Sequence, residues 1–425
     1  MKYYTSLRPY VSKRVEQIES ADILIGIPSY NSERTIGHVI EMVSEGLHRH
    51  YKDLRSVVML ADGGSTDDTR DVIDNTSIGP WQEKLVTIYR GPAGKGTALR
   101  SIFEVATRLS VKACMVVDSD LRSITGDWVK HLLDPVIEKD YDFVAPIYCR
   151  YKYDGTITNN VVYYLTRALY GKRIRQPIGG DFAFSKRCAS FYMNQDVWET
   201  DIAKFGVDIW ITTSAIVNNF KICQSHLGVK IHDAKDPAVH LAPMYRQVIT
   251  TLFALMEEYE NFWKEIKSSE PTEVFGEDPG IEPEPVAVDL KMLVRKFKFG
   301  YKYFGVLWRK IFSEDVFRTI RRASRQRSEN LYISPDDWAK ILYEIAATFH
   351  KWKHNRYKLV ELSTPLYYGK VASFINHSRD MNSAEAERLV ERNALVFEHL
   401  KPFLLELWDK PLENNHELDP ELEDL

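Results

Sequence analysis

Residues 113–120 read ACMVVDSD. A short apolar run of this kind is a buried strand, and it breaks off in two carboxylates, Asp118 and Asp120, one residue apart. The same cadence occurs three times upstream. DILIGIPSY (22–30), SVVMLADGG (56–64) and VTIYRG (86–91) are β-rich and end in polar or glycine-containing residues. Helical patterns over 34–49, 66–75 and 95–109 separate them. Strands alternating with helices at this pitch predict a parallel sheet with right-handed crossovers, whose ligands bind beyond the carboxyl ends of the strands. The pattern then loosens, with a strand at DFVAPIY (142–148), an amphipathic helix near 159–170 and a helix opening near Val207. The expected class is therefore α/β, a Rossmann-like sheet of mixed direction.

Downstream the composition changes. Residues 268–289, SSEPTEVFGEDPGIEPEPVAVD, are rich in proline and acid and poor in large apolar groups, which predicts a linker or mobile loop. Beyond it, three segments carry apolar residues at helical spacing, and Ser334-Pro335-Asp336-Asp337 supplies an N-terminal cap to one of them. The predicted division is a catalytic domain over 1–267, a linker over 268–289 and an α-helical domain over 290–425. The first helical segment, LKMLVRKFKFGYKYFGVLWRKIF, is basic and aromatic. Its stripe suits core packing, and the alternative is an amphipathic helix lying on a membrane surface.

A length of 425 residues with 44% apolar content suits one large domain and a smaller one. The formal net charge of −4 gives no global basic field for nucleic acid. No run approaches the ~18 apolar residues of a spanning helix, and MKYYTSLRPY lacks a signal-peptide core, so the expected location is the cytoplasm. Cys114, Cys149, Cys188 and Cys223 have no C-x-x-C pairing and read as isolated thiols.

The strand ends carry the chemistry. Asp118 and Asp120 can reach one hard cation, Mg2+ or Mn2+, and such an ion neutralises a diphosphate as it departs. Residues 27–33, containing Pro28, Tyr30, Asn31 and Glu33, close the first strand and open a helix whose N-terminal amides suit anions or a base edge. Asp62, with Gly63 and Gly64 behind it, can accept hydrogen bonds from a uracil or guanine ring, while Asp67 and Asp68 suit the cap of the next helix. Gly94-Lys95-Gly96 resembles a phosphate-binding turn in its physics, without the full spacing of a nucleotide triphosphatase. His232, after a further apolar run, is on its own an ordinary histidine that can also offer a neutral imidazole to a metal; Asp233 and Asp236 are weaker metal candidates. A metal-dependent nucleotidyltransferase would share the sheet and the acid pair.

Read in order, P-S-Y-N-S-E, D-G-G-S-T-D-D-T, G-K-G and D-S-D resemble the GT-A glycosyltransferases of the family-2-like group. The resemblance spans residues 22–265, and the mannosylglycerate synthases and glucosyl-3-phosphoglycerate synthases are the most similar members. These are retaining enzymes that make glycerate-based compatible solutes. Gln176 to Asp181, Phe205 to Asp208 and Lys230-Ile231-His232 support it.

The resemblance implies Asp120 and His232, with Asp118 nearby, as metal ligands, and Ser119, Asp62 and Lys95 in the nucleotide site. It places Gly179, Gly180 and Asp181 along the sugar and acceptor pocket, and Asp208 as a carboxylate on the hexose hydroxyls or a general base. Arg150 would take an acceptor carboxylate in bidentate geometry. The implied donors are GDP-mannose or an NDP-glucose, and the implied acceptors glycerate or 3-phosphoglycerate. A homo-oligomer formed through the helical domain is a further expectation, and an inverting family-2 enzyme acting on a lipid or polysaccharide is the alternative. The chain departs from the mannosylglycerate synthases in having Phe205 where they have tryptophan, and in its distinct Thr364–Lys370 segment.

Overall fold

The structure, a computed structural model, describes residues 3–204, 206–232, 237–278, 280–352, 354 and 356–411, with only the backbone of 237–240. Phe205, Asp233 and Asp236 lie outside the described residues.

The strands are β1 (Ile23–Ser29), β2 (Ser56–Asp62), β3 (Glu83–Ile88), β4 (Ala113–Val116), β5 (Phe143–Cys149), β6 (Lys172–Arg173), β7 (Phe182–Ser185), β8 (Ile222–Val229), β9 (Glu270–Pro271) and β10 (Glu273–Phe275). Eight of them form one sheet in the order β10-β8-β5-β7-β4-β1-β2-β3, while β6 pairs with β9. β1, β2, β3 and β4 run parallel, as the alternation of strands and helices requires. β7 runs antiparallel between β4 and β5, and the sheet is accordingly mixed. This reversal positions the site. Because Val116 pairs with Phe182, the turn before β7 arrives at the carboxyl tip of β4.

β1, β2 and β4 are buried throughout, as strands covered on both faces must be. One face packs Ile25, Val43, Leu60, Met115 and Trp128 into a continuous core. The other is aromatic: Phe103 meets Phe184 edge-on at 5.1 Å, and Tyr192 and Trp198 both contact Trp210. Pro28 lies two residues beyond the last β1–β4 pair, Gly26 with Val116, so its missing N–H leaves no gap in that ladder. Helix Thr69–Asn75 takes its cap from Asp67, which accepts from the Thr69 N–H at 3.1 Å; Asp68, at the cap position, makes no side-chain cap bond. Of the cysteines, all free, Cys149 alone is half-exposed.

The chain forms two compact units, residues 1–150, 174–234 and 271–281 in the first, and 151–173, 235–270 and 282–425 in the second. The sequence pattern assigns 151–173 and 235–267 to the domain of the sheet. Their side chains explain the difference. Trp338 Nε1 donates to the Asn160 carbonyl at 2.6 Å, Arg167 pairs with Glu391 and Glu398, and Tyr245 stacks on Tyr367 at 4.4 Å. The acidic segment also departs from expectation, because β10 adds to β8 as a parallel edge strand. Ladder hydrogen bonds and one aromatic contact, Phe275 on Tyr141, supply the order that its composition does not. In the second unit, helix Pro335–Lys351 has the expected cap, with Ser334 Oγ accepting from the Asp337 N–H. Thr364–Lys370 lies within helix Arg356–His377. No helix among the described residues is long and apolar enough to cross a membrane.

Helix Lys95–Arg108 begins directly beneath residues 202–204. A Cβ at Gly96 would sit 2.0 Å from the Ile202 carbonyl oxygen, so backbone itself would have to move. Gly96→Ala is expected to destabilise the protein by about 1–3 kcal/mol, as overpacking does, read as a lower midpoint in urea unfolding.

Candidate active site

Four strand ends converge on Asp118, in the loop that leaves β4. Lys95, at the first turn of its helix, donates to Asp118 Oδ1 at 2.8 Å and to Asp208 Oδ2 at 3.2 Å. Lys230, just past β8, donates to Asp118 Oδ2 at 3.2 Å, to Asp181 Oδ2 at 2.7 Å and to the Gly179 carbonyl at 2.9 Å. Asp181 Oδ1 in turn accepts from the Asp118 N–H at 2.8 Å. Tyr148 closes the rear of the cluster, its hydroxyl bonded to Asp181 and its ring 4.7 Å from the Lys230 ammonium. Two cations thus face three carboxylates. Asp181 is fully buried, whereas the side chains of Asp118, Lys95 and Asp208 remain partly open.

The electrostatics follow from that geometry. Burial alone would raise the Asp118 carboxyl, but Lys95 and Lys230 outweigh it and hold the group well below the usual carboxylate range. Burial likewise works against the Lys95 ammonium, and Asp118 and Asp208 more than restore it, so the lysine stays charged. Asp208 is the opposite case: burial raises it and Lys95 only partly compensates. Its second oxygen, Oδ1, is buried with no hydrogen-bond partner among the described residues. A buried acceptor left open costs free energy unless something fills it, so it suits a ligand hydroxyl.

Gly180 has a structural requirement here. It takes φ +90°, and a Cβ there would lie 2.1 Å from Asp118 Oδ2, in the space the carboxylate occupies. Gly179 lends its carbonyl to Lys230 and Tyr148. Asp181 therefore acts from below, positioning Asp118 and Lys230. Arg150 is half-buried, its guanidinium 5.1 Å from the Tyr148 ring.

The loops after β1 and β2 build the neighbouring wall. Asp62 is fully buried, and its carboxylate accepts from the amides of Gly64 and Ser65, both at 2.8 Å, and from the hydroxyls of Ser65 and Ser29. It shapes the loop and does not point at solvent. Asn31 holds a left-handed φ of 49°, and its side-chain oxygen accepts from the Thr66 amide. Glu33 accepts from the Asp68 amide. Tyr30, 61% exposed, presents a ring at the end of β1. The Ser119 and Ser32 hydroxyls lie 2.9 Å apart, and the Thr35 hydroxyl donates to the Ser119 carbonyl.

The chain leaving Asp120 pairs with the chain leaving β8. Leu121 and His232 form an antiparallel bridge, and the Arg122 amide donates to the Ile231 carbonyl at 2.9 Å. Asp120 thereby comes next to the His232 strand. Among the described residues no three His, Cys, Asp or Glu side chains come together to hold a metal ion.

The sequence reading singled out Lys95, Asp118, Asp181 and Asp208, and the structure brings them together. It did not assign roles to Lys230 or Tyr148. Lys230 stands beside His232 in Lys230-Ile231-His232, and that proximity is the signal the sequence offers for it. Lys230→Met leaves Asp181 and Asp118 buried without their shared counter-charge and is expected to cost about 3–5 kcal/mol, measured by denaturant unfolding against the wild type.

None of the curated proteins matches the chain. Solved structures of glucosyl-3-phosphoglycerate synthase from Mycobacterium tuberculosis are similar at 24% identity. The form with Mg2+ and UDP covers 59% of this chain and 85% of its own, with a TM-score of 0.44. The form with Mn2+, UDP-glucose and phosphoglyceric acid covers 59% and 86%, with a TM-score of 0.43. Residues 24–199 match the sequence model of Glycosyl transferase family 2. Over residues 24–199 the chain is similar to glycosyl transferase family 2, its mixed sheet has a GT-A-like arrangement, and the protein is a glycosyltransferase.

Proposed function

We propose that the protein moves a glucose or mannose from a nucleotide-hexose to D-glycerate or 3-phosphoglycerate with retention at the anomeric carbon. The unfilled Asp208 Oδ1, buried beside Lys95 and the tip of β4, carries this reading. Held by one oxygen and open at the other, Asp208 is suited to grip hexose hydroxyls while staying anchored. The same open oxygen, on a carboxylate whose proton affinity burial raises, also suits a general base, and the anomeric configuration of the product separates the two roles.

Asp120 and His232 are the residues that would hold Mg2+ or Mn2+. A carboxylate and an imidazole fit an ion that draws its remaining oxygens from the donor diphosphate, since Mg2+ sites commonly combine one or two carboxylates with substrate phosphates. Such an ion, when bound, offsets the charge that grows on the departing diphosphate. Lys95 adds a second positive group on the same side, and the loop folded by Asp62, with Asn31, Glu33 and the Tyr30 ring, forms the base and ribose wall. Arg150 and the 179–180 turn take the acceptor carboxylate.

In the transfer, the bond between the anomeric carbon and the diphosphate oxygen breaks. The acceptor hydroxyl attacks on that same face, and its proton passes to the leaving diphosphate oxygen. The protein positions and stabilises, and no side chain needs to bond covalently to the sugar.

Purified protein incubated with GDP-mannose or NDP-glucose against glycerate and 3-phosphoglycerate is expected to give an α-linked product, its anomer read by proton NMR. Product from no pair removes the acceptor assignment, and a β-linked product makes Asp208 the base of an inverting enzyme. Removing divalent ions with chelator, or Asp120→Asn, is expected to lower turnover by about 10²-fold or more, with Mn2+ restoring the chelated wild type.

A further inference from the structure

Helix Leu290–Ile311 carries seven lysine and arginine residues and no aspartate or glutamate. Over 290–327 the count is twelve basic against two acidic residues, in a chain whose net charge is −4. One face of the helix is core, with Leu293, Phe297, Gly300 and Trp308 buried. The outward surface is not uniformly polar, because exposed apolar groups run beside its basic row. Phe299, Tyr303 and Val306 are 57%, 56% and 74% exposed, and the first two rings lie 4.1 Å apart, tilted by 38°. Spaced i, i+4, i+7 at about 100° per residue, they fall in one sector roughly 60° wide. Arg295, Lys302 and Arg309 are exposed along one flank of that sector.

We propose that this face docks on an anionic lipid bilayer, lying parallel to its surface with Phe299, Tyr303 and Val306 at the boundary between headgroups and acyl chains. A convex helix face with an apolar stripe and cationic flanks has the build of an interfacial helix, in which burial of the stripe and attraction to acidic headgroups act together. The charge also argues against a second copy of the same face. A symmetric dimer through it would set two strongly positive surfaces against each other. Single-stranded RNA would use the cations and the two rings but would gain nothing from Val306, the most exposed of the three.

Co-sedimentation of the full chain with vesicles of phosphatidylcholine, with and without 30% phosphatidylserine, tests this. Binding is expected to the anionic vesicles only and to weaken as salt rises. Arg295→Gln/Lys302→Gln/Arg309→Gln is expected to reduce binding about a hundredfold. Phe299→Ser/Tyr303→Ser/Val306→Ser is expected to abolish what remains at high salt. All six side chains are exposed, so unfolding midpoints and glycosyl transfer in solution are expected to stay at wild-type values. The proposal is overturned by wild-type protein that ignores anionic vesicles, or by equal binding of wild type and both variants. It is equally overturned if both variants lose only binding to single-stranded RNA, or only a concentration-dependent dimer.

Discussion

Two ammonium groups hold three carboxylates at the tip of a buried strand, and the site exists only while they do. Asp118, Asp181 and Asp208 would repel one another in the low dielectric beneath the cleft; Lys95 and Lys230 convert that repulsion into a fixed arrangement. Each lysine bridges two carboxylates, so neither ion pair stands alone. A cluster joined in this way fixes direction as well as charge, because every bond in it constrains a neighbour. The cost of burying it is met by the sheet, whose covered strands deliver the residues with their rotamers already restricted.

The topology explains why such a cluster forms at all. A purely parallel sheet would bring only the loops after its strands to this edge. The reversed strand β7 also delivers the loop that precedes it, so Gly179, Gly180 and Asp181 reach Asp118 although they lie some sixty residues further along the chain. Gly180 then lets the two loops touch. A transferase needs its donor and acceptor side by side, and a mixed sheet offers two kinds of loop at one edge.

Much of this was legible in the sequence, for a physical reason. Apolar runs that end abruptly in Asn31, Asp62 or Asp118 announce both a strand and its functional end, so the sheet and the order of its loops could be read directly. What remained hidden depended on contacts between distant segments. Lys230 and Tyr148 gain their roles only when β5, β7 and β8 lie together, and no local pattern encodes that. Asp62 looked like a ligand-facing acceptor, yet its oxygens are absorbed by the two amides and the hydroxyl that follow it. An amphipathic pattern near 159–170 says that one face is buried but not against what, which is why Arg167 and Asn160 proved to belong with the later helices. The short β10 has too little pattern of its own to be seen.

The close seating of 202–204 on Gly94 and Gly96 has a mechanical consequence. Lys95 sits between those glycines, and Asp208 lies in the first turn of helix Val207–Val217, soon after the overlying segment in the chain. The turn that carries the cation is therefore in direct backbone contact with a segment close in sequence to the carboxylate it binds, with no compliant side chain at that contact. A push on one transmits to the other with little give, as between two stones in a dry wall.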